Sequence, residues 1–142
     1  MFRNLPPITK NLLLINLICY LADVVFQRYG IDFSHIFGLH YITASDFHFW
    51  QPLTYMFMHA NFSHIFFNMF AVLMFAPALE ERWGSQRFLI YYLITGLGAA
   101  VVQEAVWAVR LQPVLNSVDV TRATALANRV VTIGASGAVF GI

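Results

Sequence analysis

The sequence predicts an all-α, polytopic transmembrane helical bundle with three full spans and the start of a fourth. Two observations predict it. Of the 142 residues, 59% are hydrophobic and only 11% are charged, against about 25% charged in a soluble domain. Trp50 to Leu79 is a run of thirty residues without Asp, Glu, Lys or Arg, and Phe88 to Gln103 is a run of sixteen. About 20 apolar residues cross the hydrocarbon core as a helix, so residues 1–142 read as one membrane domain. A net charge of +1 gives no electrostatic case for nucleic acid as a partner. The single cysteine, Cys19, lies in an apolar run. It cannot form an internal disulfide and reads as a small buried apolar residue.

Residues 1–10 are polar and broken by prolines, with Arg3 and Lys10. The first span is expected at about 11–26. Its apolar run is too long for a cleaved signal peptide and lacks a small-residue exit, so it is expected to be retained. Asp23 near its far end needs the interface or a partner group. A loop follows from Gln27 to Phe49, with six aromatic residues and His35, His40 and His48; amphipathic rings of this kind settle at the headgroup level. The second span is expected at about 53–78, with Pro77 near its end, and Glu80 to Arg87 as a tight charged turn. The third is expected at about 88–108. Residues 109–131 form a less apolar loop, broken by Pro113 and Asn116, in which 119–128 admits a short helix. Residues 132–142 are apolar and glycine-rich and read as the first turns of a fourth span, cut off.

Charge sets the orientation. The N-terminal tail and the 80–87 turn carry Arg3, Lys10, Arg82 and Arg87; the two long loops carry Arg28, Arg110, Arg122 and Arg129. The counts tie, but the first set is denser, which places the N-terminus in the cytoplasm.

Three strings carry candidate chemistry. In residues 134–141, Ser136 is flanked by Gly134 and Gly137. Missing side chains would let a carbonyl approach the hydroxyl and the backbone N–H groups, and a helix starting there would aim its N-terminus at an oxyanion. Gly137 and Gly141 also have the spacing for close helix packing in lipid, and on this string alone packing is the stronger reading. In residues 59–68, His64 and Asn68 are four apart and share a helix face. They must pair or face a cavity; for each alone, an inter-helix hydrogen bond is the plainer reading. His59 falls off that face and reads as nearer the surface. Parity brings these strings together: if span one leaves the cytoplasm, spans two and four both begin outside, so His64, Asn68 and Ser136 lie at similar depth. A serine beside side-chain donors is the arrangement of an oxyanion hole. A zinc site is disfavoured, because the four-apart pair is His–Asn and no Glu follows His59. In residues 79–84, Glu80 and Arg82 read first as a solvated turn and second as a clamp holding spans two and three.

Together these strings resemble the rhomboid family. Residues 6–16 look like its entry into the first span, Trp50-Gln51 stands where the family has Trp-Arg, and His64-x-x-x-Asn68, Glu80-x-Arg82-x-Gly84 and Gly134-Ala135-Ser136-Gly137 follow in order. The resemblance implies a six-span intramembrane serine endopeptidase without metal or cofactor, acting on transmembrane segments of membrane proteins. It implies Ser136 as nucleophile, Asn68, His64 and the Ser136 N–H as oxyanion donors, and Trp50, Glu80, Arg82, Gly84, Gly134, Gly137 and Gly141 as structural positions. The general base would be a histidine on a sixth span, and none of His35, His40, His48, His59 or His64 matches it. This chain alone is therefore expected to be inactive. Gln51 departs from the family pattern and bears on how the first loop is anchored. Residues 28–52 would form a half-submerged loop beside the substrate entrance, and a bacterial inner membrane is the expected location. Two rivals are a non-catalytic rhomboid-like protein that binds membrane clients and a small transporter subunit.

Overall fold

The computed structural model describes residues 4–142, so Arg3 lies outside the described residues. The order is α1 (Pro7–Gln27), α2 (Phe33–Phe37), β1 (Leu39–His40), α3 (Gln51–Thr54), a 3-10 turn (Tyr55–Phe57), α4 (Phe62–Trp83), α5 (Ser85–Arg110), α6 (Gln112–Asn116), α7 (Val120–Arg129), β2 (Val131–Thr132) and α8 (Ser136–Val139). Three helices, α1, α4 and α5, are long and apolar enough to cross a membrane. At 1.5 Å per residue they measure about 31–39 Å, enough for a hydrocarbon core of about 30 Å.

Burial on these helices is inverted relative to a soluble protein. The inward stripe of α1 is Thr9, Leu12, Asn16 and Asp23. That of α4 is Ile65, Asn68, Val72, Ala76 and Glu80, and that of α5 is Phe88, Tyr92, Gly96, Ala100 and Trp107. The outward positions carry the bulk: Leu14 and Ile18 on α1, Phe66, Phe67, Phe70 and Phe75 on α4, Val101 and Val102 on α5. Polar groups sit inside and hydrocarbon faces out, because lipid rewards neither an exposed amide nor an exposed carboxylate.

The bounds of α1 and α4 differ from those expected, for local reasons, and in place of the expected fourth span at 132–142 the chain forms β2 (Val131–Thr132), a turn at Gly134 and the short α8 (Ser136–Val139). Helix α1 begins at Pro7, four residues early, because a proline at the first helical position gives up an N–H that has no intrahelical partner. The second span begins at Phe62, not near residue 53. Residues 51–57 make a separate short helix and 3-10 turn, Met58 is extended, and Asn61 caps α4 by accepting from the His64 N–H at 2.9 Å. Helix α4 then runs through Pro77 to Trp83. The expected charged turn shrinks to Gly84, at φ +84°, where only glycine turns the chain without strain.

The two long connections fold on each other. β1 pairs antiparallel with β2, Leu39 opposite Thr132 and His40 opposite Val131. The Asn128 side chain donates to Ser45 Oγ at 2.7 Å and accepts from the Asp46 N–H at 3.3 Å. Glu104 of α5 accepts from the Ile42 N–H at 3.0 Å. The first loop is thus tied to the third along much of its length.

Candidate functional site

The start of α4 and the turn before it shape the site. The Asn61 cap fixes the first turn, and the 3.6-residue period then puts His64 and Asn68 on one face. The Ala60 N–H donates to His64 Nδ1 at 3.4 Å. Nδ1 is therefore the acceptor, and the proton of the neutral ring sits on Nε2. His59 corrects the sequence reading. It is not near the surface but 1% exposed, and its ring meets the His64 ring edge-on at 5.0 Å between centroids. Neither His59 ring nitrogen meets full hydrogen-bond geometry among the described residues, although a Phe57 backbone group favours the protonated ring and opposes part of the burial effect. Burial pushes the His59 imidazole down to about 4, with the adjacent His64 ring adding to the effect. At neutral pH it is an uncharged ring.

The serine segment arrives opposite this pair. The Gly134 N–H donates to the Tyr55 carbonyl at 2.9 Å, and Gly134 adopts φ +119°. A methyl group there would lie 2.5 Å from His64 Nε2 and 3.6 Å from Asn68 Nδ2. Glycine is therefore required twice at this position, for its φ and for the approach to the His64 ring. Asn68 Nδ2 is buried without a partner among the described residues. Two side-chain N–H groups thus bound one small space, two residues before Ser136. Ser136 itself is half-buried at the first position of α8. Helix α8 packs on α5 through small side chains: Gly137 lies against Ala99 and Tyr55, and Gly141 against Thr95. The Tyr91 hydroxyl donates to the Gly141 carbonyl.

Tyr55 is a positioning residue that sequence reasoning missed. Its carbonyl holds Gly134, and its hydroxyl donates to the Gly96 carbonyl of α5 at 2.7 Å. Burial pushes that phenol up to about 12, so it stays a donor. No sequence signal marks it, since it lies in an apolar stretch otherwise read as span. Asn61 was legible in principle: an Asn immediately before an apolar helical run is an N-cap signature.

At the other end of α4, Glu80 is 2% exposed and not a solvated turn residue. Its carboxylate accepts from the Ile8 N–H at 2.8 Å, the Thr9 N–H at 2.7 Å, Thr9 Oγ1 at 2.8 Å and Ser85 Oγ at 2.6 Å. It clamps α4 to α1 as well as to α5. Arg82 is exposed, as a solvated residue would be. Gln51 anchors the first loop without a charge. It is fully buried, its amide donates to the Asp46 carbonyl at 2.9 Å and the Ile36 carbonyl at 3.2 Å, and its carbonyl accepts from the His40 N–H at 3.3 Å. Trp50 donates to the same Ile36 carbonyl at 3.4 Å and stacks on His48. Asp23 is likewise satisfied, by Gln27, Ser34 and the Phe33 N–H.

The molecule is an integral membrane protein in which a half-buried serine follows, by two residues, a glycine seated against a histidine ring and an asparagine amide. A description of the Rhomboid domain matches residues 46–142. The chain is 35% identical over 92% of its length to the chloroplastic Rhomboid-like protein 11 of Arabidopsis thaliana, covering 38% of that protein. It is 29% identical over 95% of its length to the Rhomboid protease AarA of Providencia stuartii, covering 48% of it. It is 31% identical over 66% of its length to the Putative rhomboid protease YdcA of Bacillus subtilis (strain 168), covering 37% of it. The chain belongs to the rhomboid family, and it spans less than half the length of these relatives.

Proposed function

We propose that the protein carrying these residues is an intramembrane serine endopeptidase that cleaves transmembrane segments of other membrane proteins. One observation carries this reading: Gly134 seats the Ser136 segment against His64 Nε2 and the unpartnered Asn68 amide. Ser136 Oγ attacks the scissile carbonyl, and the oxygen that becomes negative is received by Asn68 Nδ2–H, His64 Nε2–H and the Ser136 backbone N–H. The peptide C–N bond then breaks, the leaving amine takes the proton that a base has received from the Ser136 hydroxyl, and water later releases the acyl group. His64 serves here as a donor, with Nδ1 occupied by the Ala60 N–H. A serine hydroxyl is a weak nucleophile without a base to take its proton. None of the five histidines in residues 1–142 is assigned that task, so these residues alone are expected to be inert. The N-terminus is assigned to the cytoplasm, which puts residues 28–52 and the Ser136 segment on the opposite side. One relative is named chloroplastic and two others come from bacteria, and a bacterial inner membrane is the location proposed.

The test is a fluorophosphonate probe applied to the full-length gene product in detergent. Labelling that disappears in Ser136→Ala, together with cleavage of a reporter transmembrane substrate by the unmutated protein, supports the reading. A protein that binds such substrates but neither labels nor cleaves would be a client-binding member of the family.

A further inference from the structure

A second concavity lies away from the serine, where the first loop meets the α6–α7 hairpin. It has a volume of about 500 Å³. Its walls carry Thr43, Ser45, Gln112 and Asn116 over a floor that includes Leu115 and Ala127. No ionisable side chain lines it among the described residues. Its polar groups are only partly spent. Gln112 Nε2 donates to Asn116 Oδ1 at 2.9 Å, which leaves the Asn116 amide N–H groups and the Gln112 carbonyl with capacity to spare. Thr43 Oγ1 makes no hydrogen bond among the described residues. Donors and acceptors both face the cavity, and neither sign of charge would be neutralised there. That combination offers partners to uncharged amide and hydroxyl groups and no counter-charge to an ion.

The walls are held in place. Asn128 stitches α7 to Ser45 and Asp46, and Glu104 holds Ile42. The cavity is also near the serine along the chain. Ala127 of its floor precedes Ser136 by nine residues, a path of at most roughly 30 Å even if fully extended. A substrate held at Ser136 therefore reaches the cavity with an extended stretch of roughly ten residues or fewer.

We propose that this cavity is a subsite for the polypeptide stretch that flanks the cleaved transmembrane segment on the loop side, selecting an uncharged, hydrogen-bonding sequence such as one rich in Ser, Thr, Asn and Gly. The proposal rests on the endopeptidase reading for its substrate. Two kinds of measurement separate the fates of the two readings. In the full-length gene product, cleavage is compared for reporter substrates whose flanking stretch is Ser-Asn-Thr-Gly, Asp-Glu-Asp-Glu or Lys-Arg-Lys-Arg. Binding of the same substrates to the Ser136→Ala protein is measured in detergent by fluorescence anisotropy. The variants are Asn116→Ala, which removes a wall donor, and Thr124→Trp, which fills the cavity from an exposed position.

The neutral stretch is expected to have the lowest KM, and loss of one hydrogen bond in Asn116→Ala should raise it about fivefold. Thr124→Trp should make the three substrates equal, and kcat should stay within about twofold throughout, because the reacting atoms are untouched. Equal KM and equal binding for all three flanks in the unmutated protein would overturn the subsite while leaving the protease intact. Flank-dependent binding without any cleavage would keep the subsite and overturn the endopeptidase.

Discussion

The two ends of α4 each bury polar side chains, and they treat them in opposite ways. At the Trp83 end, the Glu80 carboxylate accepts four hydrogen bonds from α1 and α5. At the Phe62 end, about 18 Å away along the helix, the Asn68 amide and both nitrogens of His59 are buried with no partner in full hydrogen-bond geometry among the described residues. Buried polar groups are almost always paired, and an unpaired one costs about 1–3 kcal/mol. A helix that satisfies one end completely has the means to satisfy the other. Under the proposed reading, a substrate supplies the missing partner at the open end, and the closed end is architecture.

That contrast breaks most sharply at Ser136. Ser136→Ala should reduce cleavage of a transmembrane reporter by the full-length protein to background while leaving its melting temperature unchanged. Retained cleavage would remove the catalytic meaning of the open end altogether.

Next come the two ends themselves. Asn68→Ala should lower kcat by about 10²–10³, or about 2.7–4 kcal/mol in the barrier, with little change in thermal stability. Glu80→Ala leaves two backbone N–H groups and two hydroxyls without an acceptor. It should destabilise the fold by on the order of 3 kcal/mol, while protein that remains folded keeps its kcat. Melting curves in detergent and single-turnover rates on the same samples make the test. If Asn68→Ala melted early at unchanged kcat, the two ends would have the same role.

Gly134→Ala should fall between function and fold. The added methyl meets His64 Nε2 at 2.5 Å, and φ +119° is strained for any L side chain. A backbone strain of about 1–3 kcal/mol is expected, read as a drop in kcat from displacement of the serine segment. A Gly134→Ala enzyme with normal rates would show that the close seating on His64 is not used.

Much of this was legible in the sequence, and the reasons differ by region. The charge-free runs announced the membrane helices, because lipid makes charge the costliest error. Parity led to the expectation that His64, Asn68 and Ser136 lie at one level; in the structure the Gly134 N–H bonds the Tyr55 carbonyl and Gly134 lies against His64. The start of α4 was missed because residues 53–61 carry no charge and so read as continuous with the helix. There hydropathy is blind, and the Asn61 cap decides. Glu80 was read as solvated because five more charged or polar residues follow within the 80–87 turn; its partners Ile8 and Thr9 are over seventy residues away. His59 was misplaced because helical periodicity was extended through a segment that is not helical.

His59 gives the smallest effect, and one that needs a pH axis to see. In the fold it titrates near 4, held down first by burial and then by the His64 ring, whereas an unfolded histidine titrates near 6.5. Between those values the unfolded chain binds a proton that the folded one does not, so stability rises with pH. The contribution is complete above about pH 6.5 and is lost progressively as pH falls toward 4. His59→Phe keeps a ring against His64 and removes the titration. The unmutated protein should lose a few degrees of melting temperature over this window beyond what His59→Phe loses. At pH 7.5 the two should melt together to within about 2 °C, since the phenyl ring strands no buried nitrogen. Parallel melting curves for both proteins from pH 7.5 to 4.5 would mean that His59 meets water, and the Phe62 end of α4 would then be less open than its unpartnered groups imply.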